Sequence, residues 1–147
     1  MNLLLDSSVW IEHLRSGGLE RLLPRIRGRF LLWCDSVVTA ELTAGCRSKR
    51  ERRTVARLFA PFVGAERVVS PSQQDFERAG LALSRLREKG RTLSNPGGAL
   101  LDALIACCAI RVGALLVTVN WRDFESLRTE LPLRIESLAP FELRLSG

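Results

Sequence analysis

No run of this 147-residue chain approaches the length needed to span a bilayer, about 20 apolar residues. The opening Met1-Asn2-Leu3-Leu4-Leu5-Asp6 has no basic leader and no small-residue cleavage site, so a secretory signal is not expected. The four cysteines, Cys34, Cys46, Cys107 and Cys108, form no C-x-x-C pair, and the one histidine, His13, cannot complete a zinc set with them. A reducing cytoplasm is the simplest setting. Ser7-Ser8 lacks the G-x-S-x-G frame of a nucleophile elbow, and Gly97-Gly98 is neither a dinucleotide nor a Walker signature. His13 has no acid or nucleophile at catalytic spacing and reads as a polar residue of the first helix. Lysine occurs only at Lys49 and Lys89. The formal net charge of +6 is therefore carried by arginine, which suits bidentate phosphate and carboxylate contacts or simply reflects base composition.

What is present is an ordinary globular composition, 46% hydrophobic and 26% charged, with no repeat, linker or low-complexity tract. One domain over 1–147 is expected. Residues 2–6 read as a buried strand and 7–15 as a helix capped by Asp6 or Ser7. A second amphipathic segment at 19–26 is limited by Pro24. A strand at 29–34, a helix at 36–46 capped by Asp35 or Ser36, and a helix from Arg50 to about Phe59 ending near Pro61 come next. Then follow a short strand at 67–69, a helix from Ser72 to about Lys89 and a loop at 94–98. A helix at 99–112 stopped by Gly113, a strand at 114–119, a turn at 124–127 capped by Asp123, and a strand at 133–136 complete the chain. Strands alternating with helices predict an α/β fold with a mostly parallel sheet covered on both faces. The three tryptophans, Cys107 and Cys108 read as packing residues, and the basic run Arg47–Arg53 as solvated surface.

Four acids interrupt apolar sequence: Asp6 after Leu3-Leu4-Leu5, Glu41 within Val37–Leu42, Asp102 within Leu100–Ala106, and Asp123 after Leu115–Arg122. A buried carboxylate without a partner is costly, and a shared divalent cation is an economical partner because hard cations take oxygen ligands. In an open α/β sheet, ligands bind beyond the carboxyl ends of the strands. Asp6 ends the first strand, Asn120 and Asp123 follow the strand at 114–119, and Glu41 lies a turn into the helix after the strand at 29–34. Asp102 has no strand before it; its helix is apolar from Leu100 to Ile110 and reads as buried on nearly every face. Each acid also has a plainer reading. Asp6 and Asp123 could be helix caps, Glu41 a surface residue, and Asp102 a first-turn acid favoured by the helix dipole. Their coincidence at one edge favours a shared site, to which Ser7, Thr118 and Asn120 add neutral oxygens.

The segments Leu4–Ile11, Thr39–Gly45, Asp102–Ala106 and Val117–Phe124, in this order and spacing, resemble the PIN-domain family, and within it VapC-type toxins of toxin–antitoxin pairs. The resemblance spans nearly the whole chain. It implies a three-layer α/β/α fold with a central, mostly parallel sheet, and a Mg²⁺- or Mn²⁺-dependent endoribonuclease. By position, Asp6, Glu41 and Asp102 would be the main acidic set. The fourth place lies between Asn120, where many relatives carry an acid, and Asp123, with Thr118 as a supporting hydroxyl. The resemblance also implies an RNA substrate, a homodimer, a cognate antitoxin covering the site, and operator DNA bound only through that antitoxin. A processing nuclease without an antitoxin, or a binding module with a degenerate site, is the alternative. The loop Asn95-Pro96-Gly97-Gly98 before the third acid departs from the family pattern.

Overall fold

The computed structural model describes residues 1–147. Five strands form one sheet in the order β3-β2-β1-β4-β5, and all four pairings are parallel. β1 (Asn2–Leu5) lies at the centre, between β2 (Leu31–Asp35) and β4 (Ala114–Thr118). β3 (Val68–Val69) and β5 (Ile135–Ser137) are the short edges. The central position explains the unbroken Leu3-Leu4-Leu5 run. All three side chains are buried because both faces of a parallel sheet are covered. Each contributes about 1.5–3 kcal/mol of burial.

The chain leaves β1 in one direction for β2 and β3, then returns to the other side of β1 for β4 and β5. Right-handed crossovers send the connecting helices of the two halves to opposite faces. The first group is α1 (Ser7–Ser16), α2 (Leu19–Arg27), α3 (Ser36–Ala44) and α4 (Lys49–Gly64). The second is α5 (Gln73–Glu88), α6 (Ala99–Arg111) and α7 (Trp121–Arg128). A last helix, α8 (Leu138–Ser146), packs on α2 and β5. The reversal at β1 and β4 creates a topological switch point beyond their carboxyl ends, where an open α/β sheet has its crevice.

The expected caps form. Asp6 accepts the Val9 N–H at 3.2 Å, Asp35 accepts that of Val37 at 2.8 Å, and Ser72 forms a reciprocal capping box with Asp75. Gly113 turns the chain from α6 into β4 at φ +62°, in the left-handed region where glycine is favoured.

Several boundaries differ from expectation. α4 does not end before Pro61 but runs through it to Gly64. The proline removes one helical bond, at a cost of about 3 kcal/mol. Burial of Phe59 and Phe62 on either side offsets that cost: their rings meet Trp10 edge-on, with centroids 5.0 and 6.2 Å away. Pro24 likewise lies inside α2, which buries Leu22 and Ile26. Residues 96–98 form a 3-10 turn rather than a plain loop. The segment after residue 120 is a two-turn helix, α7, whose cap position is Asn120; Asp123 sits in its first turn and is not the cap. A last helix, α8, follows the final strand, beyond the last element expected from the sequence; its Pro140 sits in the first turn, where a missing N–H breaks no helical bond. α6 is fully buried from Ala103 to Ala109, but Leu100 and Leu101 face solvent, so its first turn lines an open edge. His13 lies in the first helix as expected and is buried, with Nε2 3.1 Å from Glu142. No helix is long and apolar enough to cross a membrane.

Candidate active site

The ladder between β1 and β4 runs to Leu5 and Val117 and is extended by the Asp6 N–H, which donates to the Val117 carbonyl at 3.1 Å. Asp6 and Thr118 are thereby brought side by side at the end of the two strands. Both are buried. The Thr118 hydroxyl donates to Asp6 Oδ2 at 2.7 Å and accepts the Asn120 N–H at 2.9 Å. Ser8 Oγ donates to Asp6 Oδ1 at 2.5 Å and accepts the Val119 N–H at 3.0 Å. Asp6 is thus both the cap of α1 and the most heavily held carboxylate of the edge. Its two readings in the sequence are compatible.

Asp102 comes from the first turn of α6 and is half-buried. Its hydrogen-bond partner is the Asn120 amide, with Nδ2 at 3.4 Å from Asp102 Oδ2 and 3.1 Å from Asp123 Oδ2. Carboxylates only accept, so the amide must present its N–H₂ to both. Asp123 is buried, and its other oxygen accepts the Ser94 N–H at 2.7 Å. Glu41, from α3, accepts a hydrogen bond from the Ser7 hydroxyl.

The electrostatics place all four acids in one field. Burial pushes the Asp102 carboxyl up to about 7, and the charges of Asp6, Glu41 and Asp123 push the same way. Burial also raises Asp6, opposed by hydrogen bonds from Ser8, Thr118 and the Val9 N–H. For Asp123 burial again acts upward, but the Ser94 N–H and the Asn120 amide outweigh it and hold the carboxyl low. None of the four is ion-paired; the chain's ion pairs all involve other acids. A half-buried carboxylate raised by three neighbouring acids, none of them ion-paired, suits a hard divalent cation. Carboxylate, hydroxyl and amide oxygens are the donor chemistry of Mg²⁺ or Mn²⁺. As placed, no three of the side chains close into a finished cage, so cation binding would need side-chain rotation.

Three residues at this edge were not anticipated. Ser8 is one, and the signal was its position two residues after Asp6, a spacing at which a hydroxyl can fold back on a carboxylate. Ser94 is the second; its contact with Asp123 spans 29 residues and left no local trace. Asp35 is the third. Read only as a cap, it is almost wholly buried, and its Oδ2 has no hydrogen-bond partner. It stands apart from the four acids, among Cys108, Arg111 and Asp75, and burial pushes its carboxyl up to about 6.

Residues 3–129 match the family model of the PIN domain. No curated protein matches the sequence. Among solved structures, the fold is similar to VapBC2 from Rickettsia felis bound to a DNA fragment from its promoter, with TM-score 0.70, 22% identity, and 93% of this chain and 98% of that one covered. It is similar to VapBC-1 from nontypeable Haemophilus influenzae, with TM-score 0.69, 22% identity and the same coverage. It is also similar to VapBC-5 from Mycobacterium tuberculosis, a member of the VapBC family of toxin–antitoxin systems, with TM-score 0.56, 16% identity, and 92% and 96% covered. At these identities the likeness to solved structures speaks for the fold.

Proposed function

The chain belongs to the PIN-domain family, whose members are typically nucleases, and on that premise we propose that it is a divalent-metal-dependent endoribonuclease and the toxin of a toxin–antitoxin pair. The observation that carries this reading is that Asp6, Glu41 and Asp123 lie near enough to raise the Asp102 carboxyl, with no ion pair to any of the four, at the switch point of a parallel sheet.

Asp6, Glu41 and Asp102 would hold the cation, with Asp123 or Asn120 completing the set. When bound, the cation supplies positive charge at the phosphoryl oxygens and makes a neighbouring water more acidic. The chain's own residues prepare for this. Thr118 and Ser8 fix the two oxygens of Asp6 in direction. The Ser94 N–H and the Asn120 amide keep Asp123 ionised. Ser7 orients Glu41. The hydroxyls at the edge, those of Ser7, Ser8 and Thr118, all donate to the acids, a role that fits hydrolysis by water rather than through a covalent enzyme intermediate.

The likeness to VapBC structures, one of them bound to promoter DNA, supports a cognate antitoxin and operator DNA as partners; that the antitoxin covers the site and carries the DNA contact, and that the toxin is a homodimer, are what the family resemblance implies. Incubation of RNA with purified protein and Mg²⁺ tests the reading. Endonucleolytic products that vanish with EDTA, and in the Asp6→Asn variant, are expected. Full-length RNA at every metal concentration overturns it. End-mapping of RNA from cells after induction, with Asp6→Asn as control, then identifies the target.

A further inference from the structure

Between α1, α3 and α4 lies a cavity of about 830 Å³, bordered on one side by Glu41. Cavities that hold small ligands typically measure about 300–1,000 Å³, so there is room for part of an extended chain beside the acids. Leu42 and Val55, both buried, contribute to its floor, and three exposed arginines, Arg15, Arg47 and Arg50, stand around it. We propose that this cavity is a clamp for the RNA backbone, in which Arg15, Arg47 and Arg50 grip phosphates flanking the bond to be cut. The proposal rests on the nuclease reading above and adds to it where the substrate runs.

The arginines are available for such a role. None has a carboxylate within 4.0 Å, although Glu51 also lines the cavity. Glu51 is engaged by the backbone N–H of Arg47 at 2.5 Å, which folds the start of α4 and leaves both guanidiniums free. The apolar floor lowers the local dielectric, so a phosphate held there meets each guanidinium more strongly than on open surface. Planar guanidinium forks match phosphate oxygens, whereas the floor has few features that would read a base. The basic run Arg47–Arg53 is solvent-exposed throughout, as expected, and its members Arg47 and Arg50 also border the cavity beside Glu41.

Position separates the clamp from the chemistry. Arg15 is nine residues beyond Asp6 on α1, roughly 14 Å at 1.5 Å per residue. It would hold a flanking phosphate and not the scissile one, and its loss acts on binding before it acts on the bond-breaking step.

The test uses the full chain carrying Asp6→Asn, so that RNA is bound without being consumed. A short fluorescein-labelled single-stranded RNA is titrated at several salt concentrations and read by anisotropy. One variant adds Arg15→Gln, Arg47→Gln and Arg50→Gln. A control adds Arg78→Gln, Arg85→Gln and Arg87→Gln on α5, which removes the same charge outside the cavity. Circular dichroism checks that both fold. The cavity variant is expected to bind at least about tenfold more weakly at low salt, with the slope of log K against log salt shallower by about 2, since each single-strand phosphate contact contributes about 0.7. The control is expected to shift the slope by clearly less. Equal losses in both variants mean bulk charge alone and overturn the proposal. An unchanged cavity variant on a parent that binds RNA overturns the clamp and leaves the nuclease reading standing. A parent that binds no RNA, with an unsubstituted chain that cuts none, overturns both. Loss of binding only to a glutamate-rich peptide assigns the cavity to a protein partner and also overturns it.

Discussion

The Thr118 hydroxyl donates to Asp6 Oδ2 at 2.7 Å, joining the ends of β4 and β1 across 112 residues of sequence. Thr118→Val keeps the shape and removes the bond, so Asp6 loses one of the groups that favour its charged form. The expected result is a loss of about 10–100-fold in Mg²⁺ or Mn²⁺ affinity, the usual effect of removing a hydrogen bond behind a metal ligand. Thr118→Ser should recover most of it. Calorimetric titration with Mn²⁺ measures both; equal affinity in all three proteins would remove Thr118 from the site.

Asp6→Asn, Glu41→Gln and Asp102→Asn should each abolish RNA cleavage without unfolding the protein. An asparagine at position 6 can still accept the Val9 N–H, so α1 keeps its cap. At position 102, neutralisation relieves repulsion from three neighbours, and the melting temperature in EDTA should stay level or rise. Cleavage at the wild-type rate by the Asp6 and Asp102 variants would sink the site assignment.

The fourth position is decided by comparing Asn120→Ala with Asp123→Asn. Asn120 now donates to Asp102 and Asp123, while Asp123 is held charged by Ser94. If Asp123 is the ligand, its asparagine variant loses more Mn²⁺ affinity than Asn120→Ala. The reverse order gives the place to Asn120.

Asp35 yields a pH prediction independent of the metal. Burial raises its carboxyl to about 6, against about 3.9 in an unfolded chain. Between these values the native state binds more protons than the unfolded one, so stability falls as pH rises from about 4 to about 6 and stays lower above that. The penalty is at most on the order of 3 kcal/mol. Asp35→Asn retains an oxygen for the Val37 N–H and cannot ionise. In urea melts its stability relative to wild type should rise as pH increases from about 4 to about 6 and then level off. A wild-type-minus-variant difference that is constant with pH would contradict the assignment.

Much of this fold was legible because its signals are local. Leu3-Leu4-Leu5 announces a strand covered on both faces, Ser72 with Asp75 announces a helix start, and Gly113 ends α6. The strand-end rule placed Asp6 and the 118–123 segment at one edge for the same reason. Other features depend on tertiary partners that sequence spacing does not reveal. α4 continues past Pro61 because Trp10, far away in sequence, receives Phe59 and Phe62. Asp123 is fixed by Ser94, 29 residues away, as well as by Asn120 at the cap of its own helix. The exposure of Leu100 and Leu101 follows from where α6 meets the edge, which an apolar run cannot show. Asp35 and Asp6 occupy the same kind of cap position, yet only one belongs to the acid cluster.

The central position of β1 has a consequence for the ribosome that makes this chain. β1 emerges early, but one of its two neighbours is β4, and Asp6 meets Thr118 only after residues 114–118 have followed. Glu41, Asp102 and Asp123 are likewise scattered along the chain and converge only around that pairing. A nascent polypeptide short of β4 has the first carboxylate but no edge on which to assemble the others. If the protein cuts RNA, its topology delays that activity until the chain has been translated past Asp123.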